Sequence, residues 1–165
     1  MRKAPHPVRL FIVLLVFWLL LNSSLDLDVL IVGSVAAFLI VALFRNGRSI
    51  LSDFNLTPRG FVTAVFFILY FFKELIKSNI RLAAIVLSPS LPVSPGIVKV
   101  RTKLKSPVAR QLLANAITMT PGTLTVELRE EWLYIHWVRV EAQDVEGATA
   151  NIVSRFEHYL EVMYG

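Results

Sequence analysis

Two charge-free apolar runs near the start of the chain constrain its fold more than any other feature. The first covers residues 10–21 and the second covers residues 29–44. Extended to its apolar flanks, the first run has about 18 residues, which corresponds to about 27 Å of helix. The hydrocarbon core of a bilayer is about 30 Å thick, so runs of this length are typical of membrane helices. We therefore predict two membrane spans, at about 8–25 and 28–44.

The link between these runs, residues 22–28, contains two acids and no base. Because the link is so short, we expect the two helices to form a hairpin. The second helix carries small residues that would allow close packing against its partner, namely Gly33, Ser34, Ala36 and Ala37. The alternative is that these small residues have no packing role, because small residues are common in membrane helices in general.

A cleaved signal peptide is the alternative interpretation of the first run, because Arg2 and Lys3 precede it. Two observations favour an uncleaved anchor instead. Residues 22–25, Asn-Ser-Ser-Leu, make a poor cleavage site, and a second apolar run follows at once.

A third hydrophobic helix is predicted over residues 58–87, with Thr57 as its cap and Pro58 in its first turn. Its first part, 61–72, is apolar, and basic residues then recur at every fourth position, on one side of the helix. These residues are Lys73, Lys77 and Arg81. A basic amphipathic helix suits contact with anionic lipid headgroups, although a solvated helix face would show the same pattern.

Lysine and arginine accumulate on the cytoplasmic side of short membrane loops. Three of them precede the first run, none lies in the link, and three follow the second run before residue 60. These six residues are Arg2, Lys3, Arg9, Arg45, Arg48 and Arg59. We therefore predict a multi-pass membrane protein with its N-terminus and its C-terminal domain in the cytoplasm. The third helix would then start in the membrane or lie along it, and a three-span arrangement is the alternative.

The charge distribution separates the two parts of the chain. Residues 1–91 carry nine basic and four acidic residues and so hold the whole net charge of +5, whereas residues 92–165 carry eight of each. A basic and strongly apolar half indicates membrane lipid as a partner. Nucleic acid is disfavoured, because the second half offers only the short basic cluster at 99–105. The absence of cysteine excludes cysteine-dependent nucleophiles, zinc fingers and iron–sulfur sites.

A proline-rich linker, residues 88–96, separates the membrane part, 1–87, from a small α/β domain over 97–165. Alternation of apolar and polar residues predicts strands near 98–102, 124–129 and 133–138. Helical spacing predicts one helix after Ser106-Pro107 and a last helix over about 145–164. The apolar face of that last helix consists of Ile152, Phe156, Leu160 and Met163.

The resulting order is β-α-β-β-α. It predicts that the first two strands are parallel, that the second and third form an antiparallel hairpin, and that two helices cover one face of the sheet. Because about 70 residues bury only a small core, we expect this domain to lean on the membrane part or on a partner.

No pattern of titratable residues indicates catalysis or metal binding. The three histidines, His6, His136 and His158, lack ligand spacing, and the glycines form no phosphate-binding loop. The apolar runs have no ionisable residue at their centres, although an ion path normally needs one. We predict no catalytic residue, no metal site, no cofactor and no small-molecule substrate bound by this chain alone. The chain is accordingly predicted not to be an enzyme.

The segment 115–128 reads Asn-Ala-Ile-Thr-Met-Thr-Pro-Gly-Thr-Leu-Thr-Val-Glu-Leu, and Leu-Tyr-Ile-His-Trp-Val follows at 133–138. With the preceding order of parts, these stretches resemble the E subunit of the Mrp-type (also called Mnh or Pha) multisubunit cation/proton antiporter of bacteria. The resemblance extends over nearly the whole chain. It implies a component of an inner-membrane complex that exchanges cytoplasmic Na⁺ or K⁺ for protons, driven by the proton motive force, and so serves ion transport and pH homeostasis.

The resemblance further implies an accessory, non-catalytic subunit that supports assembly and full activity, since ion translocation in such complexes is associated with the large subunits. Its partners would be the other subunits and membrane lipid. The alternative is a stand-alone, membrane-anchored adaptor whose cytoplasmic domain binds a protein partner.

The turn within the quoted segment is a candidate contact with a neighbouring subunit or with the third helix. The candidate residues are Thr118, Thr120, Pro121, Gly122 and Thr123. The alternative is a helix-to-strand connector, because Pro-Gly makes a tight turn and the threonines can bond the local backbone.

Overall fold

Two apolar helices form the first part of the chain, as predicted. In the computed structural model, which describes residues 7–43, 53–55 and 57–165, α1 spans Pro7–Asn22 and α2 spans Leu27–Leu43. Several residues used in the orientation argument lie outside the described residues, namely Arg2, Lys3, Arg45 and Arg48, as does His6.

The two helices form the predicted hairpin, and its packing face contains glycine and alanine. Gly33 and Ala37 are the buried residues of α2. The indole of Trp18 in α1 lies over Gly33 and donates a hydrogen bond to the carbonyl oxygen of Val29 at 3.0 Å. A Cβ atom on Gly33 would lie 2.3 Å from Cδ1 of Trp18, so only glycine permits this approach.

Across residues 7–43, 53–55 and 57–165, none of the helices combines the length and the apolar character needed to cross a membrane. The spans at about 8–25 and 28–44 stay predictions.

The third predicted helix is α3, Pro58–Leu87, and it begins as expected: the Thr57 hydroxyl accepts a hydrogen bond from the Gly60 N–H, and Pro58 occupies the first turn. The chain divides into two compact units, Met1–Phe54 and Asn55–Gly165, whose residues contact one another more within a unit than between units. The helix α3 is thus grouped with the sheet, whereas the sequence grouped it with the hairpin.

The sheet has three strands, β1 (Gly96–Arg101), β2 (Thr123–Arg129) and β3 (Trp132–Trp137), in the order β1-β3-β2. The predicted β2–β3 hairpin is confirmed. Both β1 and β2 run antiparallel to β3, so they do point the same way, but they are not neighbours because β3 lies between them. The edge strand β2 has an irregular register between Thr125 and Glu127, which marks a bulge.

Three helices, rather than the predicted two, pack within this unit besides α3. They are α4 (Pro107–Met119), α5 (Val145–Ile152) and α6 (Ser154–Tyr164). The prediction of one continuous helix over 145–164 is wrong. The break lies at Val153, where the hydroxyl of Ser154 donates to the Thr149 carbonyl, which already accepts the regular helical bond from the Val153 N–H. The two halves then meet different partners, since α5 packs on β1 and α6 packs on α3.

The core lies between the sheet and these helices. Leu113 and Ile117 of α4, Leu133 and Ile135 of β3, and Leu160 of α6 are fully buried. Aromatic contacts then join α3 to α6: Tyr70 lies 5.3 Å from Phe156 and Phe67 lies 6.2 Å from it, centroid to centroid. The core therefore extends onto the third helix, and dependence on that helix for stability stays a prediction.

Candidate functional site

A cleft of about 120 Å³ separates α3 from the turn that joins α4 to β2. Its floor is apolar and consists of buried side chains from five elements. These are Ile85, Ile117, Trp137, Ile152 and Phe156. The apolar floor exists because each of these residues also belongs to the packing between α3, the sheet and the last two helices.

Charged side chains surround this floor. Lys77 and Arg81 come from α3, Arg139 follows β3, and Arg155 lies in α6. Two acids, Glu74 and Glu141, accompany them. The lining therefore carries four basic and two acidic residues.

The ion pairs in the cleft are long. Lys77 Nζ lies 3.8 Å from an oxygen of Glu74, and Arg81 lies 3.8 Å from Glu141. Both basic side chains are about half exposed, so such pairs contribute little to stability. Within the described residues, Arg139 and Arg155 form no ion pair with an acid.

Glu74 has the most unusual environment. Its Oε1 atom is buried and has no hydrogen-bond partner in the part of the chain that the structure describes. Buried polar atoms nearly always have a partner, so this oxygen is an exception within the cleft.

The turn forms the opposite wall, through Thr120, Pro121, Gly122 and Thr123. The hydroxyl of Thr123 donates to the carbonyl of Ile117 at 2.7 Å, and the hydroxyl of Thr120 donates to Ala116 at 2.8 Å. Gly122 has φ of +95°, a backbone conformation that favours glycine. These bonds support the connector interpretation, and they also hold the exposed surface of the turn in one conformation.

The cleft thus brings together residues from two predicted sites, the basic face of α3 and the turn before β2. Lys77 and Arg81 face the turn across the cleft. Two candidates lie outside the cleft lining: Lys73 is exposed, and Thr118 is exposed with its hydroxyl bonded to the Thr125 N–H at 3.1 Å.

Sequence reasoning missed the other charged residues of the cleft. Arg139, Glu141 and Arg155 are distant in sequence from α3, and only the tertiary packing of α6 on α3 brings them together. Glu74 did carry a signal, since it is the one acid in the predicted helix 58–87.

Replacing Pro121-Gly122 by Ala-Ala is expected to lower the free energy of unfolding of this unit by about 1–2 kcal/mol, because alanine is strained at positive φ. A Cβ on Gly122 would meet no atom within 4 Å, so the cost lies in the backbone and not in a clash. Thermal unfolding of the full chain in detergent, followed by tryptophan fluorescence, measures this.

The control for this double variant is Pro89→Ala in the exposed linker, which should leave stability unchanged. Equal stability of the two variants would contradict the account of the turn. Loss of companion subunits from a chain that stays folded would add an interface role.

The described residues combine an apolar helical hairpin with a small sheet-and-helix unit that carries a basic cleft. The fold thus defines a two-part protein, in which an apolar helical hairpin precedes a unit of three strands and four helices. Comparison with known proteins gives its family. A family model described as a Na⁺/H⁺ ion antiporter subunit matches residues 11–163.

Individual relatives agree with this match. The E subunit of the Na⁺/H⁺ antiporter of Alkalihalophilus pseudofirmus is 36% identical over 151 residues, which cover 91% of this chain and 92% of that protein. The corresponding E subunit from Bacillus subtilis is 32% identical and covers 87% and 89%. A chain in the structure of the membrane-bound sulfane sulfur reductase, an archaeal respiratory membrane complex, is 35% identical with a TM-score of 0.81, covering 96% and 98%.

The chain belongs to the family of Na⁺/H⁺ antiporter E subunits. The resemblance inferred from the segments at 115–128 and 133–138 is confirmed. The stand-alone adaptor is not favoured.

Proposed function

We propose that this chain is an accessory, non-catalytic subunit of a multisubunit Na⁺(K⁺)/H⁺ antiporter, and that it supports assembly and full activity while other subunits carry the ions. One observation supports this most. The same fold, at a TM-score of 0.81 over nearly the whole chain, occurs in a respiratory reductase complex. A fold that occurs in membrane complexes with different named activities supports a scaffold role, because neither activity alone accounts for it.

The chemistry of the described residues supports the same proposal. Between residues 7 and 43, the hairpin has one basic residue, Arg9, near its start and two acids, Asp26 and Asp28, at the link. The helices carry no ionisable side chain at their centres, where a proton or cation relay would need one. Transport by the hairpin itself is therefore disfavoured.

The helix α3 supports a membrane placement beside the small unit. Its inner face packs on α6, whereas its outer face exposes large apolar side chains. These are Phe61, Val65, Phe66, Ile68, Leu69, Phe72, Ile76 and Ile80. Exposed apolar patches of this extent mark interaction sites, and the adjacent Lys73, Lys77 and Arg81 suit anionic headgroups. In this proposal α3 lies along the membrane surface, since its whole inner face belongs to the small unit.

The proposed arrangement thus has the hairpin in the membrane and the unit Asn55–Gly165 on the cytoplasmic side, with its turn at residues 118–123 available to a neighbouring subunit. The hydrogen-bonded and partly exposed turn supports this, because a surface held in one conformation loses little entropy on binding.

Deletion of the gene tests the function. Without the subunit, we expect Na⁺-dependent antiport in everted membrane vesicles to fall at least about tenfold and growth at high sodium and alkaline pH to fail. The remaining subunits should no longer migrate as one complex in a native gel. Complementation with the wild-type gene is the control, and a reporter fused after Gly165 shows on which side of the membrane the C-terminus lies.

Unchanged antiport in the deletion strain would contradict the proposal. Robust sodium- or potassium-coupled proton exchange by the purified chain alone, in liposomes, would contradict the non-catalytic assignment.

A further inference from the structure

We propose that the open face of the three-stranded sheet binds a short apolar segment of a companion subunit, and that an acidic residue of this segment pairs with Lys99. The open face consists of nine residues that the strand register places together. They are Ile97, Lys99 and Arg101 of β1, Trp132, Tyr134 and His136 of β3, and Leu124, Glu127 and Arg129 of β2. The inference rests on the proposed function, because it takes the chain to be one subunit of a complex with α3 along the membrane.

The helices leave this face uncovered. The residues of the opposite face are buried in the core, namely Val98, Val100, Leu133 and Ile135. On the open face, Ile97 and Leu124 are 64% and 50% exposed. Each is paired with His136 of the central strand, and paired residues of antiparallel strands place their side chains on the same face. One end of the open face is therefore an exposed row with an aliphatic side chain on either side of His136.

The other end of the face is aromatic and basic. The Nζ atom of Lys99 lies 4.0 Å from the ring centroid of Trp132 and 5.8 Å from that of Tyr134. The guanidinium carbon of Arg101 lies 5.5 Å from the centroid of Trp132. Cations at such distances are attracted to an aromatic ring. These contacts therefore hold the ammonium group of Lys99 over the face.

The charges of the face are complementary to an acidic residue. Arg101 is paired with Glu131 at 3.1 Å, and Arg129 is paired with Glu127 at 2.5 Å. Lys99 forms no ion pair with an acid among the residues that the structure describes. A carboxylate from another chain can pair with Lys99 without breaking either arginine pair. The face therefore fits a segment in which an acidic residue lies near aliphatic ones.

The position of the face favours a polypeptide over the bilayer, although tryptophan, tyrosine and lysine also occur at membrane interfaces. The helices α4 and α5 pack on the strands, α6 packs on both of these helices, and α3 packs on α6. The open face and the exposed apolar side of α3 thus lie on opposite sides of the unit Asn55–Gly165. With α3 along the membrane, the open face is turned away from the bilayer.

The size of the face favours a segment over a second copy of the chain. Strands of six or seven residues are about 20 Å long, and three of them spaced about 4.8 Å apart span about 10 Å. The resulting footprint of about 200 Å² is far below the roughly 800 Å² per partner of a stable interface between two proteins. A segment of a subunit that other contacts already hold in the complex needs no such area.

The test places a photo-cross-linking residue, p-benzoylphenylalanine, at position 97 or 124 of the full chain in the assembled complex. We expect irradiation to join both positions to the same short segment of one companion subunit, identified by mass spectrometry, and this segment to contain an aspartate or glutamate. Position 111 is the matched control, because Gln111 is exposed on α4, on the other side of the sheet. It should not capture that segment.

Variants of Lys99 connect the binding to its charge. Lys99→Glu should lower the yield of the cross-link from position 124 about fivefold, because it places like charges together. Lys99→Arg should retain most of the yield, since arginine also binds carboxylates and aromatic rings. Changing the acidic residue of the captured segment to lysine should restore the yield in Lys99→Glu. Lys99 is exposed, so thermal unfolding of both variants should match that of the wild type.

Capture of a second copy of this chain, capture of lipid alone, or equal yields from the wild type and Lys99→Glu would overturn the proposal. So would an assembled complex in which neither position captures a companion subunit. If that complex still exchanges ions only when this chain is present, the inference fails while the proposed function stands. Failure of the proposed function would instead appear as unchanged antiport in the deletion strain.

Discussion

Replacing Glu157 by alanine is expected to lower the free energy of unfolding of the unit Asn55–Gly165 by about 3 kcal/mol. Glu157 lies in α6 and is only 8% exposed. Its Oε1 accepts hydrogen bonds from the Thr102 hydroxyl at 2.5 Å and from the Lys103 N–H at 2.6 Å. Alanine would leave both donors without this partner, and a buried donor without a partner costs about 1–3 kcal/mol.

Glu161→Ala is the matched control for Glu157→Ala. It removes the same side chain one turn later in α6, where the residue is exposed, and should change stability by less than about 0.5 kcal/mol. Glu157→Gln keeps an oxygen that can accept and should lie between the two. Thermal unfolding of the full chain, followed by tryptophan fluorescence, ranks the three variants. Equal melting temperatures for Glu157→Ala and Glu161→Ala would show that the buried hydrogen bonds do not stabilise the unit.

Replacing Gly33 by leucine is expected to separate α1 from α2, at a cost of about 3 kcal/mol or more for the hairpin. Its Cβ would lie 2.3 Å from Cδ1 and 2.8 Å from Nε1 of Trp18. The indole would have to leave its site and give up its bond to Val29. Overpacking of this kind typically costs about 1–3 kcal/mol, and the rigid ring has little freedom to adjust.

The chain has three tryptophans, so fluorine NMR of 5-fluorotryptophan-labelled protein can follow each of them. Gly33→Leu should shift and broaden the Trp18 signal and leave those of Trp132 and Trp137 in place. Ala42→Leu, at an exposed position of the same helix, is the control and should leave all three signals unchanged. An unshifted Trp18 signal in Gly33→Leu would mean that the close packing of the hairpin is not needed.

Local signals in the sequence were sufficient for most of the elements. Thr57-Pro58 and Ser106-Pro107 both begin helices where they were expected to, because a side-chain cap and a first-turn proline act within one turn. Gly122 occupies the positive-φ position of the predicted turn.

Longer-range features could not be predicted in this way. Strand alternation predicts that a strand exists but not which strand lies beside it, so the central position of β3 was missed. The break at Val153 depends on α5 and α6 meeting different partners. The burial of Glu157 gave no signal either, because an acid beside the apolar stripe of Phe156 and Leu160 is usually exposed to solvent.

The candidate site was predicted only in pieces. Lys77 and Arg81 were visible from their spacing, and the turn was visible from Pro121-Gly122. Their shared cleft was not visible, because it requires α3 to pack on α6 through Tyr70 and Phe156. A sequence pattern records which residues share one helix face, but not what lies opposite that face.

The irregular register of β2 affects how readily an unassembled copy of the chain could aggregate through this edge strand. A regular edge strand offers a row of free N–H and C=O groups that a second copy can extend, which leads to aggregation. In β2 the row is interrupted between Thr125 and Glu127, and Glu127 and Arg129 place charges on the edge. The β2 edge is thereby a poor template for sheet growth by a second copy of the chain.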